Sequence, residues 1–213
     1  MKNLIGIIVS IIYIMVVFFI SKPLTKKGEE ISRKFVHIML CNIWIIYLLF
    51  IDSLVVACIL PSLFIVINTL SYKFKLIKSM EREENDGFGT IYYAISILLV
   101  TIFTYSLKKP MLGLAGILIM GYGDGFAAII GQTVKSPKFK IGKTTRSLAG
   151  SLTMFIISLV ISIITLNLLG TNYWLVKSVG IAFVSMVVEG ISIKGFDNIT
   201  VPLIVTLLTF LAV

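Results

Sequence analysis

Eight long apolar runs, separated by short polar turns, organise the chain: residues 3–20, 35–51, 54–72, 90–106, 111–134, 148–169, 174–189 and 199–213. A bilayer core is crossed by about 20 consecutive apolar residues, with about 17–25 as the working range. Each run therefore predicts a transmembrane helix, the last being just long enough. Continuous runs of this length suit no other spanning backbone, because a peptide group in lipid finds no partner outside its own helix. The predicted fold is all-α, a polytopic transmembrane helical bundle of about eight spans. Without a Pro/Gly/Ser-rich linker, a low-complexity tract or a repeat, residues 1–213 read as a single domain. The first run, 4–20, resembles a secretory signal in length but ends at Ser21-Lys22-Pro23 with no small-residue cleavage pattern, so it reads as a retained anchor.

Composition agrees with the pattern. The 213 residues are 58% hydrophobic and 14% charged, with a mean hydropathy of +1.04, well below the roughly one-quarter charged of a soluble domain. The net charge of +9 would suit nucleic acid if it lay along one soluble face, but the cations are dispersed among the turns. Their distribution sets orientation instead. The turns after runs one, three, five and seven hold 5, 4, 5 and 1 Lys or Arg, 15 in all, against four on the other side, Lys2, Lys108, Lys109 and Lys177. The cation-rich turns are thus expected to be cytoplasmic and both termini outside, in the plasma membrane if the source is prokaryotic. Cys41 and Cys58 lie in apolar stretches without metal-ligand spacing and read as small hydrophobes.

Nearly every polar cluster falls on the cation-rich side. On a helix, Glu30, Arg33, Lys34 and His37 occupy positions i, i+3, i+4 and i+7 and share one face. They are either flanking charges, with Glu30 neutralising Lys34, or a site in which Arg33 and Lys34 hold phosphate and His37, the single histidine, hydrogen-bonds or moves a proton. Asp124 lies at membrane depth among Gly121, Gly123, Gly125, Ala128 and Gly131, and a carboxylate there costs about 2.5–3.5 kcal/mol on insertion scales. A helix would align Gly121, Asp124, Ala128 and Gly131 in one stripe, admitting a partner helix or a phosphate with its magnesium. The packing alternative pairs Asp124 with a basic residue elsewhere. From Lys135 to Ser151 the chain holds five cations, four hydroxyls besides Ser151, and Gly142 and Gly150, which suits polyphosphate or, equally, an anionic lipid surface. It is not a Walker A loop, since the preceding strand and the upstream glycine are missing. Glu189 interrupts an apolar run, Asp197 or Asn198 suits a helix cap, and Glu81, Glu83, Glu84 and Asp86 read as a solvated acidic patch.

Taken in order, these clusters resemble the CTP-dependent polyprenol and lipid-alcohol kinases, a family that includes dolichol, phytol and CTP-dependent diacylglycerol kinases and is related to phosphatidate cytidylyltransferase. The resemblance runs from Glu30 to Pro202. It rests on the E-x-x-R-K-x-x-H run ending at His37, Gly89-Thr-Ile-Tyr92-Tyr93, the Gly123-Asp124-Gly125-x-Ala127-Ala128-x-x-Gly131 stripe, Arg146-Ser147-x-x-Gly150-Ser151, and Glu189 followed by Asp197-Asn198 and Val201-Pro202. Many members carry lysine and glutamate where this chain has Arg146 and Ala149, and the alanine form is closer to the phytol kinase branch.

The resemblance implies a membrane kinase domain that passes the terminal phosphate of CTP to a lipid alcohol at the cytoplasmic face, with magnesium. Asp124 and Glu189 would hold the metal. Arg33, Lys34, Lys143 and Arg146, with Gly123, Gly125, Gly131, Ser147, Gly150, Ser151 and Asn198, would surround the nucleotide. Asp197 or His37 would accept the alcohol's proton, and Asp124 would complete the catalytic set. The alternatives are a phosphatidate cytidylyltransferase, which attacks the α-phosphorus, and a membrane transporter or scaffold, for which polar residues at both faces are expected.

Overall fold

The computed structural model describes residues 1–74, 88–141, 144–193 and 195–213. The acidic patch, Lys143 and Lys194 lie outside the described residues. Helix α1 (Lys2–Leu24) leads through a short 3-10 turn to α2 (Glu29–Leu40) and α3 (Ile43–Phe50); α4 (Leu54–Phe74) and α5 (Gly89–Ser106) follow. Next come α6 (Gly113–Leu118), a π-helical turn at Ile119–Asp124 and α7 (Gly125–Thr133). A hairpin of β1 (Lys138–Ile141) and β2 (Thr144–Ser147) precedes α8 (Leu148–Leu168), α9 (Trp174–Ile191) and α10 (Asp197–Ala212). The fold is an all-α bundle: among the described residues seven helical passes are long and apolar enough to cross a membrane, and α10, at 16 residues, is a shorter eighth. Large apolar side chains face outward along the helices, among them Phe19, Val55 and Leu168, as expected of a surface solvated by lipid rather than water.

One apolar core joins α1–α5 and one face of α6 around Trp44 and Tyr47; a second joins the other face of α6 to α7–α10 around Ile119, Met154 and Val205. Helices α8 and α9 meet along hydroxyls and small residues. Ser158 and Ser162 are fully buried, and Ser178 and Ser185 donate to Trp174 O and Ile181 O, both at 2.7 Å. Such residues let backbones approach in a solvent that gives apolar side chains no reason to associate.

Three local features depart from regular helices. The second pass begins at Glu29, so the whole Glu30-to-His37 cluster is helical. It breaks at Cys41–Asn42 because the Asn42 amide competes with the ladder, donating to Met39 O at 3.1 Å and Tyr13 Oη at 3.2 Å while accepting from Tyr122 Oη at 2.9 Å. The stripe expected along Gly121, Asp124, Ala128 and Gly131 forms in part: Asp124, Ala128 and Gly131 line one cavity, while Gly121 is turned away from it. The π turn inserts a residue and rotates the rest of that pass by about 100°, so Gly121 and Gly125 close on Cys41 and Ile38 of α2, whereas Gly131 closes on Ser147 and Gly150. The basic loop is not irregular throughout, since Lys138 to Ile141 pair antiparallel with Ser147 to Thr144.

Lys2 pairs with Asp52 at 3.1 Å beside the α3–α4 turn, and Lys177 donates to Ala212 O at 2.7 Å. The two ends of the chain thus sit with the α3–α4 and α8–α9 turns at one end of the bundle, and the candidate site at the other.

Candidate functional site

Where the two cores meet, three carboxylates converge. Asp124 arrives from the last residue of the π turn, Glu189 from the last turn of α9 and Asp197 from the first residue of α10. They are 7%, 4% and 8% exposed, and one oxygen from each lies within 4.8 Å of the others. Two cations hold them. Lys34 Nζ contacts Asp124 Oδ2 at 2.9 Å, and Arg146 binds Glu189 Oε1 at 2.8 Å and reaches Asp197 Oδ2 at 3.8 Å. Arg146 also donates to Glu189 O at 2.8 Å and Ser192 O at 3.4 Å, which ties β2 to the α9–α10 turn.

His37 supports Asp124. Its Nε2 lies 3.1 Å from Met120 O and 3.3 Å from Asp124 Oδ2. Both are acceptors, so Nε2 carries the hydrogen and donates. Tyr93 packs edge-on against the imidazole at 4.8 Å and donates to His37 O at 3.2 Å. Asn198 donates from its amide nitrogen to Gly89 O at 3.0 Å, and its backbone N–H donates to Asp197 Oδ1 at 2.9 Å; its buried Oδ1 has no hydrogen-bond partner among the described residues.

The cluster opens into a cavity of about 760 Å³, whose lining includes Arg33, Lys34, His37, Asp124, Gly131, Arg146, Ser147, Gly150, Ser151, Glu189, Asp197 and Asn198. Most of the residues expected from the sequence therefore meet. Gly123 and Gly125 do not line it; a side chain at either would strike Met154 or Ile38, so they serve the close approach of α8 and α2. Arg33 faces the cavity but pairs with Glu30, which leaves Lys34 to Asp124 instead of to Glu30. The backbone amides opening α8 are occupied: Leu148 N–H donates to Pro137 O at 2.9 Å, Ala149 N–H to Ser136 Oγ at 3.1 Å and Gly150 N–H to Ser147 Oγ at 3.1 Å. Ser147 is thus the cap of α8, and an anion in the cavity meets side chains more than helix amides.

Sequence reasoning gave no role to Asn68, which lines the cavity and donates to Thr90 O at 3.1 Å, or to Asn42. Both were detectable as amides inside apolar runs, the same signal that marked Asp124.

The carboxylate set fits a divalent cation. Magnesium binds oxygens at about 2.0–2.1 Å with opposed ligands about 4.2 Å apart, close to the spread of Asp124, Glu189 and Asp197.

No family model matches the chain, and no solved structure matches it. Similar proteins are phytol kinases. The chain is 34% identical over 139 residues to the phytol kinase of Synechocystis sp., covering 64% of this chain and 60% of that protein. It is 32% identical over 206 residues to the probable chloroplastic phytol kinase 1 of Oryza sativa subsp. japonica, covering 86% and 64%. Both matches span less than two thirds of the relative's length. The chloroplastic phytol kinase 1 of Arabidopsis thaliana is 32% identical over 226 aligned residues, covering 94% of this chain and 72% of that protein. At that identity and coverage, the chain belongs to the phytol kinase family.

Proposed function

We propose that the protein is a lipid-alcohol kinase that passes the terminal phosphate of CTP to an isoprenoid alcohol at the cytoplasmic face of its membrane. The observation that carries this reading is the cavity itself. Its wall combines buried carboxylates and cations from α2, the π turn, β2, α9 and α10 with apolar side chains such as Phe18, Leu40, Leu60 and Ile97. An enzyme joining a water-soluble triphosphate to a lipid hydroxyl needs both kinds of wall in one cavity. The named relatives support the lipid-alcohol acceptor; CTP as donor and the cytoplasmic face rest on the family resemblance and the cation-rich turns.

Phosphoryl transfer asks the protein for alignment and charge neutralisation more than for covalent help. Asp124 and Glu189 would hold magnesium, which would supply charge stabilisation to the phosphates. Arg146, Lys34 and Arg33 bind the donor's phosphate oxygens and stabilise charge that develops as the bond to the leaving group breaks. Between His37 and Asp197, the hydrogen bonds favour Asp197 as proton acceptor. His37 Nε2 is turned to Met120 O and Asp124 Oδ2, so His37 could accept only through Nδ1, while Asp197 Oδ2 has only the 3.8 Å approach of Arg146.

Two labels separate this reaction from the related cytidylyl transfer. Purified protein with magnesium, CTP and a panel of lipid alcohols and phosphatidate is expected to move the γ-label into a lipid phosphomonoester and release CDP. An α-label retained in a CDP-lipid would establish the cytidylyltransferase instead, and no labelled lipid across the panel would move weight to a transporter or scaffold.

A further inference from the structure

From Gly121 to Gly125 the chain reads Gly-Tyr-Gly-Asp-Gly, so Tyr122 and Asp124 carry the only side chains in the run. The π turn at Ile119–Asp124 belongs to a rare class of turn that is frequent at functional sites. Glycine favours no single backbone register, so the contacts around Gly121 and Gly123 have to supply one. Tyr122 makes such a contact. Its hydroxyl donates to Asn42 Oδ1 at 2.9 Å; the Asn42 amide donates to Tyr13 Oη at 3.2 Å and Met39 O at 3.1 Å, and Tyr13 Oη donates to Met39 O at 2.7 Å. The directions are forced. Tyr13 gives its one hydrogen to a carbonyl and so accepts from the amide nitrogen, which leaves the amide oxygen to Tyr122. A relay thus runs from the π turn, through the break between α2 and α3, to α1. The Tyr122 ring also stacks on Phe126 at 6.2 Å.

We infer that Tyr122 and Asn42 are positioning residues, whose relay holds the π turn in the register that presents Asp124 to Lys34, His37 and the cavity. Rewinding the turn to an α-helix would swing Asp124 about 100° around the axis, away from all three. Asp124 touches Lys34 and His37 itself, but a bound cation would compete for the same carboxylate. The relay has no such competitor, because Tyr13, Asn42 and Tyr122 are not among the residues lining the cavity. It therefore holds the register whether the site is empty or filled. The consequence for a cation rests on the reading of Asp124 as a magnesium ligand; the register does not.

His37 is the single histidine, and its Nε2 donates to Met120 O within the turn. Protein carrying isotope-labelled histidine therefore gives one imidazole NMR signal that reads the turn without metal or turnover. Wild-type protein in detergent is expected to show an Nε2 proton protected from solvent exchange. Tyr122→Phe keeps the ring and removes one hydroxyl; it should shift that signal and abolish its protection. The magnesium concentration giving half of the magnesium-dependent melting shift should rise about tenfold or more, the range for partners that orient metal ligands. Asn42→Ala should reproduce both changes, and the double variant should match Asn42→Ala, because both substitutions act on one bond. Tyr105→Phe is the control, losing a buried hydroxyl that donates to Ile51 O at 3.1 Å. It should lower the melting temperature and leave the histidine signal and the magnesium response as in wild type. An unchanged histidine signal in folded Tyr122→Phe, or the same changes in Tyr105→Phe, overturns the inference. Wild-type protein with the protected signal but no magnesium-dependent melting shift would instead remove the magnesium reading and leave the register test standing.

Discussion

The two halves of the charged cluster solve one problem in opposite ways. In the α2 half the hub is a carboxylate: Asp124 receives Lys34 at 2.9 Å and His37 at 3.3 Å. In the β2–α9–α10 half the hub is a cation: Arg146 faces two carboxylates and two backbone carbonyls. A carboxylate hub with two donors stays satisfied if one of its groups changes. A guanidinium hub does not, because its removal leaves two buried carboxylates facing each other and takes a donor from two carbonyls, of which, among the described residues, only Glu189 O keeps a backbone donor, Ser192 N–H at 3.3 Å. The first half is therefore built around a buried carboxylate, and the second is built around a strut that also faces the cavity.

Removing the strut should have the largest effect. Arg146→Ala is expected to abolish turnover and to lower stability by about 3–5 kcal/mol, the range for stranding a buried charge. Detergent melting curves and turnover should fall together. Arg146→Lys should recover part of the melting temperature, since one ammonium still neutralises the carboxylates but lacks the fork that reaches four oxygens. An Arg146→Ala protein that melts like wild type would show that the strut is not structural and erase the contrast between the halves.

Asp124→Asn should separate activity from folding. Asn keeps the size and can still accept from Lys34 and His37, so the melting curve should stay near that of wild type while turnover falls about a thousandfold or more, because the charge proposed to hold magnesium is gone. Retained activity would remove Asp124 from the mechanism. Loss of folded protein would make it a packing residue after all.

Much of this arrangement was legible in the sequence, for reasons that also explain the rest. Helical passes are declared by run length because lipid enforces it, and Asp124 and Glu189 announced themselves by the cost of charge in apolar runs. The shared face of Glu30, Arg33, Lys34 and His37 followed from helical periodicity. Which partner each would choose did not: Glu30 takes Arg33 rather than Lys34, and only the tertiary fold brings Asp124 to Lys34, 90 residues away. The π turn was hidden because Gly121, Asp124, Ala128 and Gly131 satisfy an unbroken α-helical stripe equally well on paper. The hairpin was hidden by its length, two strands of four residues. The role of Arg146 as a strut needed the α9–α10 turn in place.

Within the α2 half, the cations should rank by what they already hold. Lys34→Ala takes a donor from Asp124 and from the phosphates together, and kcat/KM should fall by about a hundredfold to a thousandfold. Arg33→Ala should cost less, about tenfold, since the guanidinium is shared with Glu30, a partly exposed side chain whose pairing is screened by water. Steady-state kinetics with varied CTP would check both. Equal losses would mean that Arg33 reaches the phosphates as directly as Lys34 does.

The smallest effect is expected at the far end of the bundle, where Lys108 and Lys109 are exposed in the turn between α5 and α6. Lys108 has a φ of 55°, a left-handed conformation as unfavourable for alanine as for lysine, so Lys108→Ala adds no backbone strain. The Lys109 contacts in that turn come from its backbone, with N–H donating to Thr104 O at 2.9 Å and its carbonyl accepting from Leu112 at 3.1 Å, and Lys109→Ala keeps both. Each variant should hold turnover within about twofold and stability within about 0.5 kcal/mol of wild type. A loss as large as that of Arg33→Ala would show that dispersed positive charge, through orientation or lipid binding, governs activity at both ends of the bundle, and the contrast between the two halves of the cluster would then no longer describe a site.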